Sequence, residues 1–201
     1  MQTESKKHVR KKWWEPKSTG ILRQYAHDFN GTYHEASFKG FSYKSQHVTV
    51  GARHGAGTIQ VTIIEAGNNN GSSADTMELT YTYRPRRKLE FYLCSAKRLA
   101  YSFLQQRLRP TSMPNSALMK VFKGGATHPS MLRSLLKHEQ LSDMLLEHPH
   151  AEIRLKIKEH NATLTYRERV KKPDGQSLSQ GVQLMERLLD ALREQSVMHE
   201  Q

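Results

Sequence analysis

Four stretches of this chain alternate apolar and polar residues with a period of two, a pattern that fits half-buried antiparallel sheet better than any other element. Ile59, Val61 and Ile63 form the first, and Met77, Leu79, Tyr81 and Tyr83 alternate with Glu78, Thr80 and Thr82 in the second. Leu89, Phe91 and Leu93 alternate with Glu90, Tyr92 and Cys94 in the third. In the fourth, Ile153, Leu155 and Ile157 alternate with Arg154, Lys156 and Lys158, Asn161 marks a turn, and Leu164 and Tyr166 alternate with Thr163, Thr165 and Arg167. That last hairpin has one apolar and one strongly basic face. Arg84-Pro85-Arg86-Arg87-Lys88, lying between the second and third stretches, is expected as the turn of another hairpin. Gly51–Gly57 is expected as the hairpin loop that leads into the first.

Helical spacing occupies the remainder. Ser18 or Thr19 can cap a helix over about 19–30, with Ile21, Leu22, Tyr25, Ala26 and Phe29 on one stripe and Gly31 as its left-handed stop. A helix over 96–108 and a short strand over about 117–123 follow. Thr127-His128-Pro129 then opens a leucine-rich helical region that breaks near His138 and ends before Pro149. Ser177 with Gln180 matches a capping box, and Leu178, Val182, Met185, Leu189 and Leu192 give the closing helix one buried stripe.

This order has no sustained alternation of strand, helix and parallel strand, which excludes a doubly wound parallel sheet. The expected class is α+β: an antiparallel sheet built of two hairpin or meander units, with helices on one face and a C-terminal amphipathic helix. The 201 residues suffice for a single domain over 18–195, with candidate sub-units 18–110 and 115–195, a flexible arm over 1–17 and a frayed tail over 196–201.

Val121-Phe122-Lys123-Gly124-Gly125-Ala126-Thr127-His128-Pro129, the leucine-rich helix after it, the Ile153–Tyr166 hairpin and the terminal helix together resemble a family of uncharacterised bacterial α+β domains. The resemblance covers about the last 80 residues and is a pattern of element types. It implies an α+β fold and no particular chemistry. Some relatives of that kind sit beside membrane segments.

Charge is the sharper guide to function. The chain carries 31 Lys+Arg against 19 Asp+Glu, a formal net charge of +12. Residues 1–17 hold six basic and two acidic side chains, and residues 84–127 hold ten and one. The other two segments balance to within one charge. Cations gathered within a Debye length sum their potentials, so an anionic partner is indicated. The candidate polyanion-binding residues are Arg84, Arg86, Arg87, Lys88, Lys97, Arg98, Arg107 and Arg109. In the arm, Lys6, Lys7, Arg10, Lys11 and Lys12 precede Trp13 and Trp14, a combination suited to an anionic membrane surface. Arginine forks suit phosphates, and Tyr92 and Tyr101 would stack on bases if exposed, so nucleic acid is the alternative partner.

Motifs for chemistry are lacking. There is no His-Glu-x-x-His, Cys-x-x-Cys, phosphate-binding loop or nucleophile elbow, and His148-Pro149-His150 would need a distant third ligand to hold a metal. No catalytic residue, metal or cofactor is therefore assigned, although an enzyme whose site is assembled from residues distant in sequence stays open. Cys94 is expected as a small buried thiol, and one cysteine makes no internal disulfide. With no apolar run long enough to cross a bilayer, the expectation is a cytoplasmic protein, placed at the inner membrane face where its arm engages lipid, with an anionic membrane surface or a membrane-proximal protein assembly as partner.

Overall fold

The structure, a computed structural model, describes residues 16–39, 42–53, 57–67, 74–97 and 108–199. In chain order the elements are α1 (Thr19–Asp28), β1 (Thr32–His34), β2 (Ser37–Lys39), β3 (Ser42–Lys44), β4 (His47–Gly51), β5 (Thr58–Ile64), β6 (Asp75–Tyr83), β7 (Phe91–Ser95), β8 (Arg109–Thr111), α2 (Ser116–Val121), β9 (Phe122–Ala126), α3 (Pro129–Leu136), α4 (Glu139–Glu147), β10 (Glu152–Lys158), β11 (Asn161–Val170) and α5 (Gly175–Glu194).

Nine strands form one sheet in the order β1-β4-β5-β6-β11-β10-β7-β9-β8, while β2 and β3 pair separately. Every pairing among these strands is antiparallel. The protein is thus α+β with an antiparallel sheet and a C-terminal amphipathic helix.

Period two sorts the residues into two faces. One transverse row runs Tyr33, Val48, Val61, Leu79, Tyr166, Ile153, Leu93. All of it is buried except Tyr33, which packs partly buried against the core. The alternate row runs Thr49, Gln60, Thr80, Thr165, Arg154. β-Branched threonine suits a pleated surface that keeps one face wet. Helix α1 packs on β4, α5 packs on α1, α4 and β6, and α2 and α3 pack on α4. Against β6, Gly181 of α5 sits over Met77 and Leu79.

Several expectations need correction. The segment Arg84–Lys88 is not a hairpin turn, because β6 pairs with β5 and β11 whereas β7 pairs with β10 and β9. The β10–β11 hairpin, about 70 residues later in the chain, inserts between the two strands, and this long-range pairing overrides the local one. Where a strand over about 117–123 is expected, residues 116–121 form a helix because Asn115 caps it by accepting from the Leu118 backbone N–H at 2.8 Å; the strand begins only at Phe122. Asp174, not Ser177, is the N-cap of α5, and Ser177 is its reciprocal N3 partner in the capping box. The left-handed residue after α1 is Asn30, at φ 51°, rather than Gly31. The hydroxyls of Ser18 and Thr19 do not cap α1 but donate to Glu65 and Gln46, each at 2.7 Å. The expected frayed tail is docked through residue 198: Val197 and Met198 are buried, and Met198 bridges to Pro85.

Candidate functional site

Strand directions decide which cations share a surface. Because β6, β11, β10 and β7 alternate in sense, Tyr83 at the end of β6, the Lys158–Asn161 turn and Phe91 at the start of β7 lie at one end of the sheet. Arg109 pairs with Ala126, which in turn pairs with Phe91, so it belongs to that end too. The connection 84–90 joins β6 to β7 across the end of the intervening hairpin, and Glu90 Oε1 fastens it there by accepting the Ile157 N–H at 2.9 Å.

The result is a rim carrying Arg84, Arg86, Arg87, Lys88, Lys158 and Arg109, all exposed. Among the described residues none of the six has an ion-pair partner. Other surface cations do: Arg23 meets Glu35 at 3.2 Å, Arg53 meets Glu186 at 3.8 Å, and Arg167 pairs with Glu78. Acidic groups at this end are few among the described residues. Glu90 is engaged as above, Glu159 sits in the β10–β11 turn, and Glu194 shares a shallow cleft of about 400 Å³ with Arg87.

The C-terminus sets the rim's shape. Both Arg86 and Arg87 donate their backbone N–H to the Val197 carbonyl, at 2.8 and 3.4 Å. Val197 is itself held by the last turn of α5 through a 2.9 Å bond from its N–H to the Leu192 carbonyl. The basic segment is thereby tied to a buried anchor while its side chains stay in water.

Not all predicted residues converge. Lys97 follows Ser95 at the far end of β7, six residues beyond Phe91, which at about 3.3 Å per residue is roughly 20 Å from the rim. That is about twice the Debye length at physiological salt, so Lys97 lies outside the rim's field. Arg98 and Arg107 fall outside the described residues, as do Tyr101 and residues 1–15 of the arm, with Lys6, Lys7, Arg10, Lys11, Lys12, Trp13 and Trp14. Tyr92 is only 3 % exposed and presents no platform for a base. Along the sequence Lys158 is one cation of the hairpin's basic face, and only the pairing of β10 with β7 brings it to the rim; Val197, which positions the rim from the far end of the chain, carries no such signal.

The other notable polar cluster lies at the opposite end of the sheet. His148, buried at the C-cap of α4, places Nδ1 2.9 Å from Glu168 Oε2, and the Tyr166 hydroxyl donates to the same oxygen at 2.6 Å. Burial opposes ionisation of Glu168, but the hydrogen bonds from His148 and Tyr166, together with the fields of His148 and His150, outweigh it and hold the carboxyl below its ordinary range. Burial, reinforced by the Glu168 charge, pushes the Tyr166 phenol up, so it remains a donor. With its Nδ1 spent on Glu168, His148 ties the helical layer to β11. Beside this cluster a cleft of about 230 Å³ is lined by His150, Glu152, Arg167, Arg169, Ile64 and Thr76.

No protein-family model and no curated protein matches the chain. Among solved structures it is similar to the crystal structure of the mycobacterial trehalose monomycolate transport factor A, at 10% sequence identity and a TM-score of 0.57, over 92% of this chain and 99% of that one. The two share a fold. At that identity the likeness extends to architecture and assigns no residue a role. Among the described residues no helix is long and apolar enough to cross a membrane.

Proposed function

We propose that this protein is a non-catalytic interaction domain that docks its basic rim on an anionic membrane surface. The observation that carries the reading is the gathering of Arg84, Arg86, Arg87, Lys88, Lys158 and Arg109 at one end of the sheet, exposed and without acidic partners among the described residues. Leaving six cations unpaired in one place costs mutual repulsion, which an anionic surface relieves. Near a negatively charged leaflet each contributes on the order of 1 kcal/mol. Burial of Tyr92 removes a stacking platform that single-stranded nucleic acid would use. The fold shared with a transport factor is compatible with such a role.

The test is parallel binding of the full chain to neutral vesicles, anionic vesicles, mixed-sequence DNA and RNA across a salt series. Binding selective for anionic vesicles and weakened by salt is the expected result. Salt-sensitive nucleic-acid binding without lipid preference would replace this reading with the alternative one.

A further inference from the structure

Edge strand β1 is joined to the sheet by three residue pairs, and the last of them sets His34 against His47. Their rings stack, with centroids 4.6 Å apart and planes within 13° of parallel. Both stand on the side of the sheet that bears the threonine row, at the end opposite the rim, and His34 Nε2 meets the Thr49 hydroxyl at 3.1 Å. His34 is exposed, whereas His47 beneath it is only 3 % exposed. Just beyond the pair the chain runs into β2 and β3, which pair with each other and not with the large sheet.

The buried ring has no carboxylate partner. His47 Nδ1 lies 3.1 Å from the Ser45 carbonyl oxygen, which can only accept, so Nδ1 carries the hydrogen of the neutral ring and Nε2 is its basic nitrogen. Among the described residues neither His34 nor His47 has a carboxylate within ion-pair distance. Glu35, next to His34 in sequence, alternates to the helical side and pairs there with Arg23 of α1 at 3.2 Å. Thr62 of β5 comes next across the sheet, and beyond it Glu78 of β6 is paired with Arg167. Glu65 is taken by the backbone N–H and hydroxyl of Ser18, each at 2.7 Å. The remaining near charge is Lys44 at the end of β3, a cation. Burial, the largest effect, lowers the His47 pKa; the bond to Ser45 raises it, and His34 and Lys44 lower it again, which leaves it below the ordinary histidine value of 6.5.

We propose that the His34–His47 stack is an acid-sensitive clasp on the edge of the sheet. With both rings neutral it holds β1 against β4; with both charged it releases β1 and the β2–β3 hairpin that follows. Two imidazolium ions at this separation repel each other and Lys44, and opening returns both rings to water. The closed state binds the second proton less readily than the open one, so closure is fully favoured above the ordinary histidine value and weakens as pH falls below it. Gln46 ties the start of β4 to Ser18 and Thr19, so the strand that moves is β1, which gives up the bond from the Tyr33 hydroxyl to Gln46. The clasp does not rest on the membrane reading of the rim.

Amide hydrogen exchange of the full chain, read by NMR at about pH 7.5 and about pH 5 and corrected for intrinsic rates, tests the clasp. Protection of the β1–β4 amides should fall about threefold or more on acidification, while the amides shared by β6 and β11 hold. His47→Gln should abolish that fall, and His34→Gln, a change at an exposed position, should reduce it. A smaller fall in the wild type, the same fall in His47→Gln, or a fall shared equally by β6 and β11 would overturn the proposal. Titration of the His47 ring signals needs no variant at that position. They should titrate below the ordinary histidine value in the wild type and move up in His34→Gln, and a His47 that titrates at or above that value in the wild type would equally overturn the clasp.

Discussion

Tyr166 and Glu168 stand two residues apart on the same face of β11, and the phenol donates to the carboxylate at 2.6 Å while His148 from the helical layer reaches the same oxygen. A depressed folded-state pKa on Glu168 has a definite consequence for acid stability. Its ionised form contributes stability above the ordinary value of 4.5, and that contribution is lost as pH falls through the lower folded value. Glu168→Gln should therefore be less stable than wild type at pH 6, and the gap should narrow on acidification to about pH 3. Tyr166→Phe should cost about 1–2 kcal/mol at pH 7. Denaturant unfolding at a series of pH values checks both, and a gap that stays constant with pH would contradict the assignment.

Two glycines separate close approach by backbone from close approach by a flexible side chain. A Cβ on Gly124 in β9 would lie 2.8 Å from the Tyr92 carbonyl oxygen, part of the neighbouring strand, which cannot retreat without loss of pairing. On Gly181 the nearest atom, at 2.9 Å, is the terminal methyl of Met77. Gly124→Ala should destabilise by about 1–3 kcal/mol. Gly181→Ala should fall within about 1 kcal/mol of wild type, because the gain in helix propensity offsets the displacement of Met77. Thermal melts of the two variants decide it, and equal losses would show that the α5 seat on β6 is as rigid as the sheet.

Docking of the C-terminal segment makes residues after α5 part of the core. Met198→Ala should cost about 2–3 kcal/mol, in the lower range for a buried methionine, since the segment has water on one side. The same change should speed hydrogen exchange at the Arg86 and Arg87 amides, whose acceptor is Val197. Exchange at those amides unaltered by Met198→Ala would mean that the tail and the rim are not coupled.

Elements whose partners lie nearby in sequence were legible. The β10–β11 hairpin and α5 follow from period two and period 3.6 alone, and the break at His138 between α3 and α4 was visible in the spacing of leucines. The misplaced parts depend on distant residues. Nothing in Arg84–Lys88 itself reveals that β11 and β10 will separate β6 from β7, and a reader of local pattern closes the hairpin. At Asn115 a side-chain cap on a six-residue helix was hidden by the apolar run Val121-Phe122, which belongs to the following strand. The same physics governs the rim. Arg84, Arg86, Arg87, Lys88 and Arg109 were identifiable as basic residues, but only strand direction joins Lys158 to them and removes Lys97.

Charge-matched triple variants at the two ends of the sheet distinguish a localised basic rim from net charge. Arg84→Ala/Arg86→Ala/Arg87→Ala empties the rim, whereas Lys97→Ala/Lys171→Ala/Lys172→Ala removes three exposed cations at the opposite end. Affinity for anionic vesicles at physiological salt should fall about 100-fold for the rim variant, at roughly 1 kcal/mol per cation, and less than about threefold for the other. Equal losses would mean that net charge alone drives binding, and no loss in the rim variant would contradict the account.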